Sequence, residues 1–499
     1  MGVARVGVPV ALLAFSSHAA AADVYLRPSE ACPYDGDGTT YSCAAANGAP
    51  GATNDWGAAE SAMAPGDTLY VDGAWELPTY IAWSTSGTES ARIRITSYDP
   101  AAPAVVTASP SMAACLLYLG ADYLELDGLT FANSACGLLV GENSETADHV
   151  GHRIHDNRFE GCENAISIAH CRDVEIYDNA LIGVGTATTN QAHCIYPAQG
   201  TAQVHVHNNL CVARPDVFAA HCLHVYHDEP PGPAQDVRFH DNVCLGFTTG
   251  AGLYSGSAGI QVYGNTFLVR NDYGLRCNYG GSQGLFINNI VLGDAAYGAG
   301  IEDGACGLTI DHNLYFHTSG DFAFLLDGSV VDFAAWQAAH DGNSLVGDPL
   351  LADGPAGDVH LQVGSPARDQ GDDAYAAGVD YYGSPRVQGP RVDIGAAEFA
   401  VAAGGGAGEG GFAGAGGAAG SAGDGGLTGG AGGHAGSAVA PGADQAESES
   451  GCGCTVPGPP SGHARAMAIA AFAAAVMRRQ LARRRSTRLR CVAQRDARG

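Results

Sequence analysis

Apolar and polar positions alternate in short bursts along the middle of the chain, and each burst ends in asparagine. Val174-Glu-Ile-Tyr-Asp-Asn179, Val204-His-Val-His-Asn-Asn209, Val237-Arg-Phe-His-Asp-Asn242 and Ile260-Gln-Val-Tyr-Gly-Asn265 align without gaps. Leu285-Phe-Ile-Asn-Asn289, Leu308-Thr-Ile-Asp-His-Asn313 and Arg153-Ile-His-Asp-Asn157 join them, and Leu124-Glu-Leu-Asp-Gly128 is a degenerate copy. A period of two predicts a strand with one buried face. The asparagines recur 22 to 33 residues apart, most often near 23, and such a period marks a solenoid. Between these strands runs a second short one that opens on a small residue: Gly137, Ala165, Cys194, Cys222, Gly252, Gly274 and Gly300. Two or three short parallel strands per coil predict an all-β fold, a single-stranded right-handed parallel β-helix. A leucine-rich repeat has a similar period, but its LxxLxLxxN pattern is absent. The asparagines read as a structural ladder, one per coil, fixing the same turn through backbone hydrogen bonds.

Stacking the coils on their small residues turns distant positions into neighbours about 4.8 Å apart. The solvent face of the second strand then runs Leu139, Ser167, Tyr196, His224, Tyr254, Arg276, Glu302, with Tyr226 and Asn278 farther along. This row could support β-elimination on a uronide. Arg276 would neutralise the carboxylate, His224 would take the C5 proton and Tyr254 would protonate the leaving oxygen. Tyr196, Tyr226, Asn278 and Glu302 would bind substrate. Tyr196 is also a candidate acid. The same row could equally be a sugar-stacking platform without chemistry, or a solvated face. A glycosidase is less well served, because Glu302 has no carboxylate on the next rungs and Asp228 and Glu229 lie about 14 Å away on the same spacing.

No metal site is expected. Along a strand His221 and His224 face opposite sides, and His155, His205, His207, His240 and His312 read as corner residues beside the asparagine ladder. Gly280-Gly-Ser-Gln-Gly284 matches GxSxG but lacks the strand–turn–helix setting of a nucleophile elbow. Asp35-Gly-Asp-Gly38 reads as a turn pinned by Cys32 and Cys43, with calcium the competing use.

Net charge is −28, and there is no lysine among the 24 basic residues. The absence of lysine excludes lyase mechanisms that depend on a catalytic lysine. Ten of the 24 arginines crowd the last 35 residues, so the body is more acidic still. Such a surface excludes nucleic acid as a partner and favours divalent cations, so calcium is the one candidate cofactor. No apolar run reaches the ~18 residues of a membrane span.

Residues 1–22 read as a secretory signal: Arg5, an apolar stretch from Val6 to Phe15, then small residues at Ala19 to Ala22. Export agrees with twelve of the 15 cysteines falling between Cys32 and Cys306. On the coil register Cys211 and Cys244 stack on one another, as do Cys194 and Cys222. These pairs are disulfide candidates, with buried free thiols as the alternative.

After Phe399 the composition collapses to Gly, Ala and Ser, a tether over 401–450. Then come Gly451-Cys-Gly-Cys454, a Pro-rich spacer, an apolar stretch from Ala466 to Met477 and an Arg cluster. This order resembles the MYXO-CTERM sorting tail, which implies processing and surface anchoring through Cys452 and Cys454. A zinc or disulfide knuckle is the other reading of that pair. Gly66-Asp-Thr-Leu-Tyr-Val71, Trp83-Ser-Thr-Ser-Gly-Thr88 and Ile93-Arg-Ile-Thr-Ser-Tyr98 resemble the N-terminal cap and first coil of secreted β-helix proteins of the polysaccharide-lyase type. Asp348-Pro-Leu-Leu351, His360 to Gly371, Asp380-Tyr-Tyr-Gly-Ser-Pro-Arg386 and Asp393-Ile-Gly-Ala-Ala-Glu398 resemble the closing module of choice-of-anchor Q proteins. The implied division is signal 1–22, cap and first coils 23–110, helix repeats 111–345, closing module 346–400, tether 401–450 and tail 451–499. The expected protein is a secreted, surface-anchored monomer that acts on or binds extracellular polysaccharide and is tied to the cell envelope by its tail.

Overall fold

In a computed structural model, residues 21–400 are described, apart from 142–147, 186–191, 216–219, 228–231, 303, 305 and 377. Almost all of the signal-like leader, the tether, and Cys452 and Cys454 lie outside the described residues, as do Asp228 and Glu229.

The alternating bursts form one parallel sheet of eleven strands, from Asp23–Leu26 to Gly307–Asp311. Its inward positions stack coil on coil. Ile154, Ile176, Val206, Phe239, Val262, Phe286 and Ile310 form one continuous column, all but sealed from solvent. A nineteen-stranded sheet supplies the other two faces of the solenoid. Its two columns are joined because Val243–Tyr254, Thr266–Asn278 and Ile290–Ile301 run through the bend between them. Phe131 and Phe159 stack in the lumen, as do Phe239, Phe267 and Phe286. This apolar column, repeated in every coil, is the main source of stability.

The asparagine ladder is present as expected. The side-chain amide of each asparagine donates to the Oδ1 of the next, from Asn157 through Asn179, Asn209, Asn242, Asn265 and Asn289 to Asn313, at 3.0–3.2 Å. Each Oδ1 also accepts the backbone N–H of the preceding ladder residue, as in Asn179 N to Asn209 Oδ1 at 3.0 Å. The residue before each asparagine takes a left-handed backbone: Asp156, Asp178, Asn208, Asp241, Gly264, Asn288 and His312. Asp, Asn and Gly are the residues that tolerate this conformation best, so the dipeptide itself encodes the corner.

All six candidate cysteines are bridged, with a different connectivity from the stacked pairs expected for four of them. Cys32–Cys43 forms as expected, but the others are Cys194–Cys211 and Cys222–Cys244. Cys194 and Cys222 do stack between coils, but both point into the lumen, where the facing side of the coil offers a closer partner. Cys115–Cys136 and Cys277–Cys306 complete the set, and Cys162 and Cys171 are free and buried. The Asp35–Gly38 turn is pinned by protein groups: Asp35 Oδ1 accepts from Thr53 and Asn54, and Asp37 Oδ1 from Thr39.

At the C-terminal end, helix Phe333–His340 is N-capped by Asp332 and buries Trp336. Trp336 stacks on Phe324, and its indole N–H donates to Asp341. The segment that follows folds back along the eleven-stranded face. Arg386, fully buried, lies 3.5 Å from both Asp241 and Glu398, and Asn288 bonds the backbone of Asp372.

Candidate functional site

The row expected on the second strand exists in altered form. Tyr196 stacks beside Ser167, but His224 pairs with Gly252, and Gly252 with Arg276. Arg276 in turn pairs with Gly300. Tyr254 therefore lies two residues farther along, level with Asn278, and Glu302 belongs to that same second row. The aligning small residues are Gly250 and Gly298, not Gly252 and Gly300. A slip of two residues keeps every side chain on its own face, so alternation alone could not reveal it.

Gly252 has its own task. A Cβ there would lie 2.5 Å from the His221 ring and 2.7 Å from the Tyr254 ring. Its missing side chain is what lets these two rings meet above the sheet.

His221 and His224 share one outer face, contrary to simple alternation. Cys222 and Leu223 between them are both in the core, and Cys194 and Ile195 repeat the pattern one coil earlier. Two successive inward residues mark a bend, which returns the residues on either side of it to the outside. His193, paired with His221, thereby joins the cluster. His193-Cys-Ile-Tyr196 and His221-Cys-Leu-His224 are visibly the same tetrapeptide pattern in the sequence, and that repetition was the signal for His193.

The ring centroid of His224 lies 4.2 Å from that of His193 and 4.3 Å from that of His221. His193 Nε2 meets His224 Nδ1 at 3.1 Å, and His193 Nδ1 meets His221 Nδ1 at 3.3 Å. His221 Nε2 shares a hydrogen bond of 3.0 Å with the Tyr254 hydroxyl. Tyr196 and Tyr226 stack on His224. His224 Nε2 is the one ring nitrogen of the three histidines without a partner. Burial pushes the His193 imidazole down to about 3, and His221 and His224 well below the ordinary histidine value. All three are neutral at neutral pH. One nitrogen from each lies within 4.8 Å of the others, so the cluster could hold a metal ion, contrary to the sequence expectation.

The expected solvent face is also largely covered. Tyr196 is 4% exposed, His224 2% and Tyr254 1%. The open part of the face is Tyr226, Arg276, Asn278 and Glu302, all of intermediate exposure. Arg276 Nε donates to Glu302 Oε1 at 2.7 Å, and Asn278 donates to Glu302 Oε2 at 2.6 Å. The guanidinium also sits 5.1 Å from the Tyr273 ring centre. Burial works against its charge, but Tyr254, Glu302 and Asp272 together hold it firmly protonated. The Ser282 of the GxSxG match is buried and bonds the Tyr254 carbonyl, so it is part of the scaffold.

No protein-family model matches the chain, and no curated protein matches it. Among solved structures it is similar to the pectate lyase Pel9A, at 13% identity over 76% of this chain and 98% of that one, with a TM-score of 0.42. An alginate lyase from Paenibacillus sp. str. FPU-7 matches at 14% identity, over 54% of this chain and 96% of that one, with a TM-score of 0.31. The PL6 family polysaccharide lyase Pedsa3628 from Pseudopedobacter saltans matches at 12% identity, over 68% and 96%, with a TM-score of 0.31.

Proposed function

We propose that this chain is a secreted, surface-anchored β-helix protein that cleaves a uronate-bearing polysaccharide by β-elimination. One observation carries the proposal: three successive coils bring a guanidinium, a phenol and neutral imidazoles together on one outer face. Arg276, released from Glu302 by a competing substrate carboxylate, neutralises the uronate. His224 Nε2, neutral and unpartnered, takes the C5 proton. Tyr254, hydrogen-bonded to His221, protonates the leaving glycosidic oxygen. Tyr226, Asn278 and Glu302 line the sugar path, and Tyr196 backs the base. Calcium would supply the positive charge that an acidic protein surface and a polyanionic substrate need in order to meet, so activity is expected to depend on it. Export rests on the signal-like leader and the five bridges, and anchoring on Cys452 and Cys454.

A second reading is a non-catalytic glycan-binding or adhesive surface protein. It is favoured by the closed Arg276–Glu302 pair and by the burial of His224 and Tyr254. Incubating the full chain with pectate, alginate and glycosaminoglycans, with and without calcium, separates the two. A lyase produces the ultraviolet absorbance of an unsaturated uronide, and His224→Ala with Arg276→Ala abolishes it. Retained binding with no product from any polymer sinks the lyase and leaves the adhesin. Full activity in the double variant sinks the site.

A further inference from the structure

A second histidine cluster lies on the outer side of the eleven-stranded face. His205 and His207 are two residues apart on strand Ala202–His207, so they share that side. Glu175 pairs with His205 from the coil before, and His240 pairs with His207 from the coil after. Three consecutive coils thus deliver one carboxylate and three imidazoles to one spot. The corner reading suits only His312, which occupies the left-handed position. His205, His207 and His240 stand clear of it on the strand face.

The approach is close. One ligand atom each from Glu175, His205 and His207 lies within 4.8 Å of the others. His207 Nε2 is 3.6 Å from Glu175 Oε1, and the Nε2 atoms of His205 and His240 are in direct contact. The far nitrogens of His240 and His207 are occupied by oxygens. His240 Nδ1 bonds Asp241 Oδ2 at 2.7 Å, and His207 Nδ1 bonds Asn208 Oδ1 at 2.9 Å. An oxygen acceptor on Nδ1 keeps the proton there and leaves the Nε2 lone pair free. That is how metal-binding imidazoles are held in orientation. Asp241 and Asn208 are themselves the left-handed corner residues, so the turn that ends each strand also supplies the orienting oxygen.

Two neighbouring clusters lack this design. In the buried cluster the imidazoles bond one another, and no acceptor oxygen fixes their tautomers. His155, in the same column as His207, has carboxylates on both nitrogens, Asp156 on Nδ1 at 2.8 Å and Glu125 near Nε2 at 3.5 Å, and its group holds one imidazole with two carboxylates, Glu125 and Asp127. In the His205 cluster an oxygen holds Nδ1 of His207 and of His240, and the hydrogen that His205 Nε2 shares with His240 Nε2 is the one a metal ion displaces. The cluster also opens on a groove of about 690 Å³, walled on one side by Tyr381 and Tyr382.

We propose that Glu175, His205 and His207, with His240 as the fourth ligand, bind one divalent first-row transition-metal ion, zinc by ligand chemistry. The ion clips three consecutive coils together. The site is separate from the polysaccharide face and stands whether or not the chain is a lyase.

The test uses the untagged full chain, stripped with chelator and titrated with zinc against a chromophoric competitor. One equivalent binds with sub-micromolar affinity and raises the melting temperature. His205→Gln and His207→Gln each weaken binding by about 100-fold or more, and Asn208→Ala by about 10-fold. His193→Gln leaves it unchanged. Cobalt on the unaltered chain gives the intense visible bands of a four-coordinate site, a readout that needs no variant to fold. Failure to bind one equivalent, a weak six-coordinate cobalt spectrum, or full affinity in the His205→Gln/His207→Gln double variant overturns the proposal. So does loss of binding through His193→Gln alone.

Discussion

The histidines beside Tyr254 bond one another with no oxygen behind them, whereas two of the three beside Glu175, His207 and His240, have an oxygen on the far nitrogen. Both groups arise from the same device, since a repeat that puts histidine at one register position delivers an imidazole stack. What differs is the surroundings. On the strand carrying His221, the bend at Cys222 and Leu223 folds the rings under Tyr196, Tyr226 and Tyr254, and water is excluded. On the eleven-stranded face, the corner residues Asn208 and Asp241 reach back to the rings, and the segment carrying Tyr381 and Tyr382 leaves a groove. Stacking supplies the neighbours, and the turn chemistry at each strand end decides whether they become a closed neutral cluster or an oriented ligand set.

Four experiments break or sharpen this contrast. Asn209→Ala has the largest expected effect, because the ladder runs directly behind the oriented histidines. It removes Oδ1 as acceptor for Asn179 and the side-chain amide that donates to the Ile176 and His207 carbonyls. Urea unfolding should show a loss of about 3–5 kcal/mol. Next is Gly252→Ala, which drives a methyl into His221 and Tyr254. A loss of about 1–3 kcal/mol is expected, with altered near-ultraviolet dichroism from the tyrosines and any lyase activity gone. Gly342→Ala, with no atom within 4 Å and, like Gly252, no left-handed backbone, is the control for the glycine-to-alanine change itself. Tyr254→Phe leaves His221 Nε2 buried and unbonded, costing about 1–2 kcal/mol by the same assay. A loss below the error of the measurement would show that the His221–Tyr254 bond adds nothing to the buried cluster.

The smallest effect is in pH dependence. His155, between Asp156 and Glu125, is raised to about 9, and His193 is lowered by burial to about 3. The raised group stabilises fully below the unfolded value near 6.5, and its contribution fades as pH climbs through 9. The lowered group stabilises above 6.5 and loses its contribution as pH falls toward 3. Melting temperature should therefore decline on both sides of neutrality. His155→Gln should flatten only the alkaline limb. Imidazole carbon shifts at neutral pH should report a cation at His155 and a neutral ring at His193.

The alternating bursts, the interval between asparagines and the corner dipeptides were enough to read the solenoid and its ladder from the sequence, because each is a local preference repeated in every coil. The second strand was harder. Gly250 and Gly252 are two residues apart, as are Gly298 and Gly300, and either register keeps the same faces inward. Only packing selects Gly250: a Cβ there would meet the Gly274 carbonyl and the Phe267 ring. The meeting of His221 with His224 was hidden for a related reason. Strict alternation holds along a straight strand, and Cys222-Leu223 is a bend. The disulfide map failed at the same place, since stacking identifies which cysteines are near one another but not which of them reach across the lumen.

The bridges that cross the lumen have a mechanical consequence. Cys194–Cys211 and Cys222–Cys244 each tie two sides of one coil, over 17 and 22 residues. A filament pulled from its ends peels away coil by coil, but these coils cannot straighten while their sulfurs stay joined. Under tension the oxidised protein extends less at these coils than their length allows, and adding a reductant lengthens those steps.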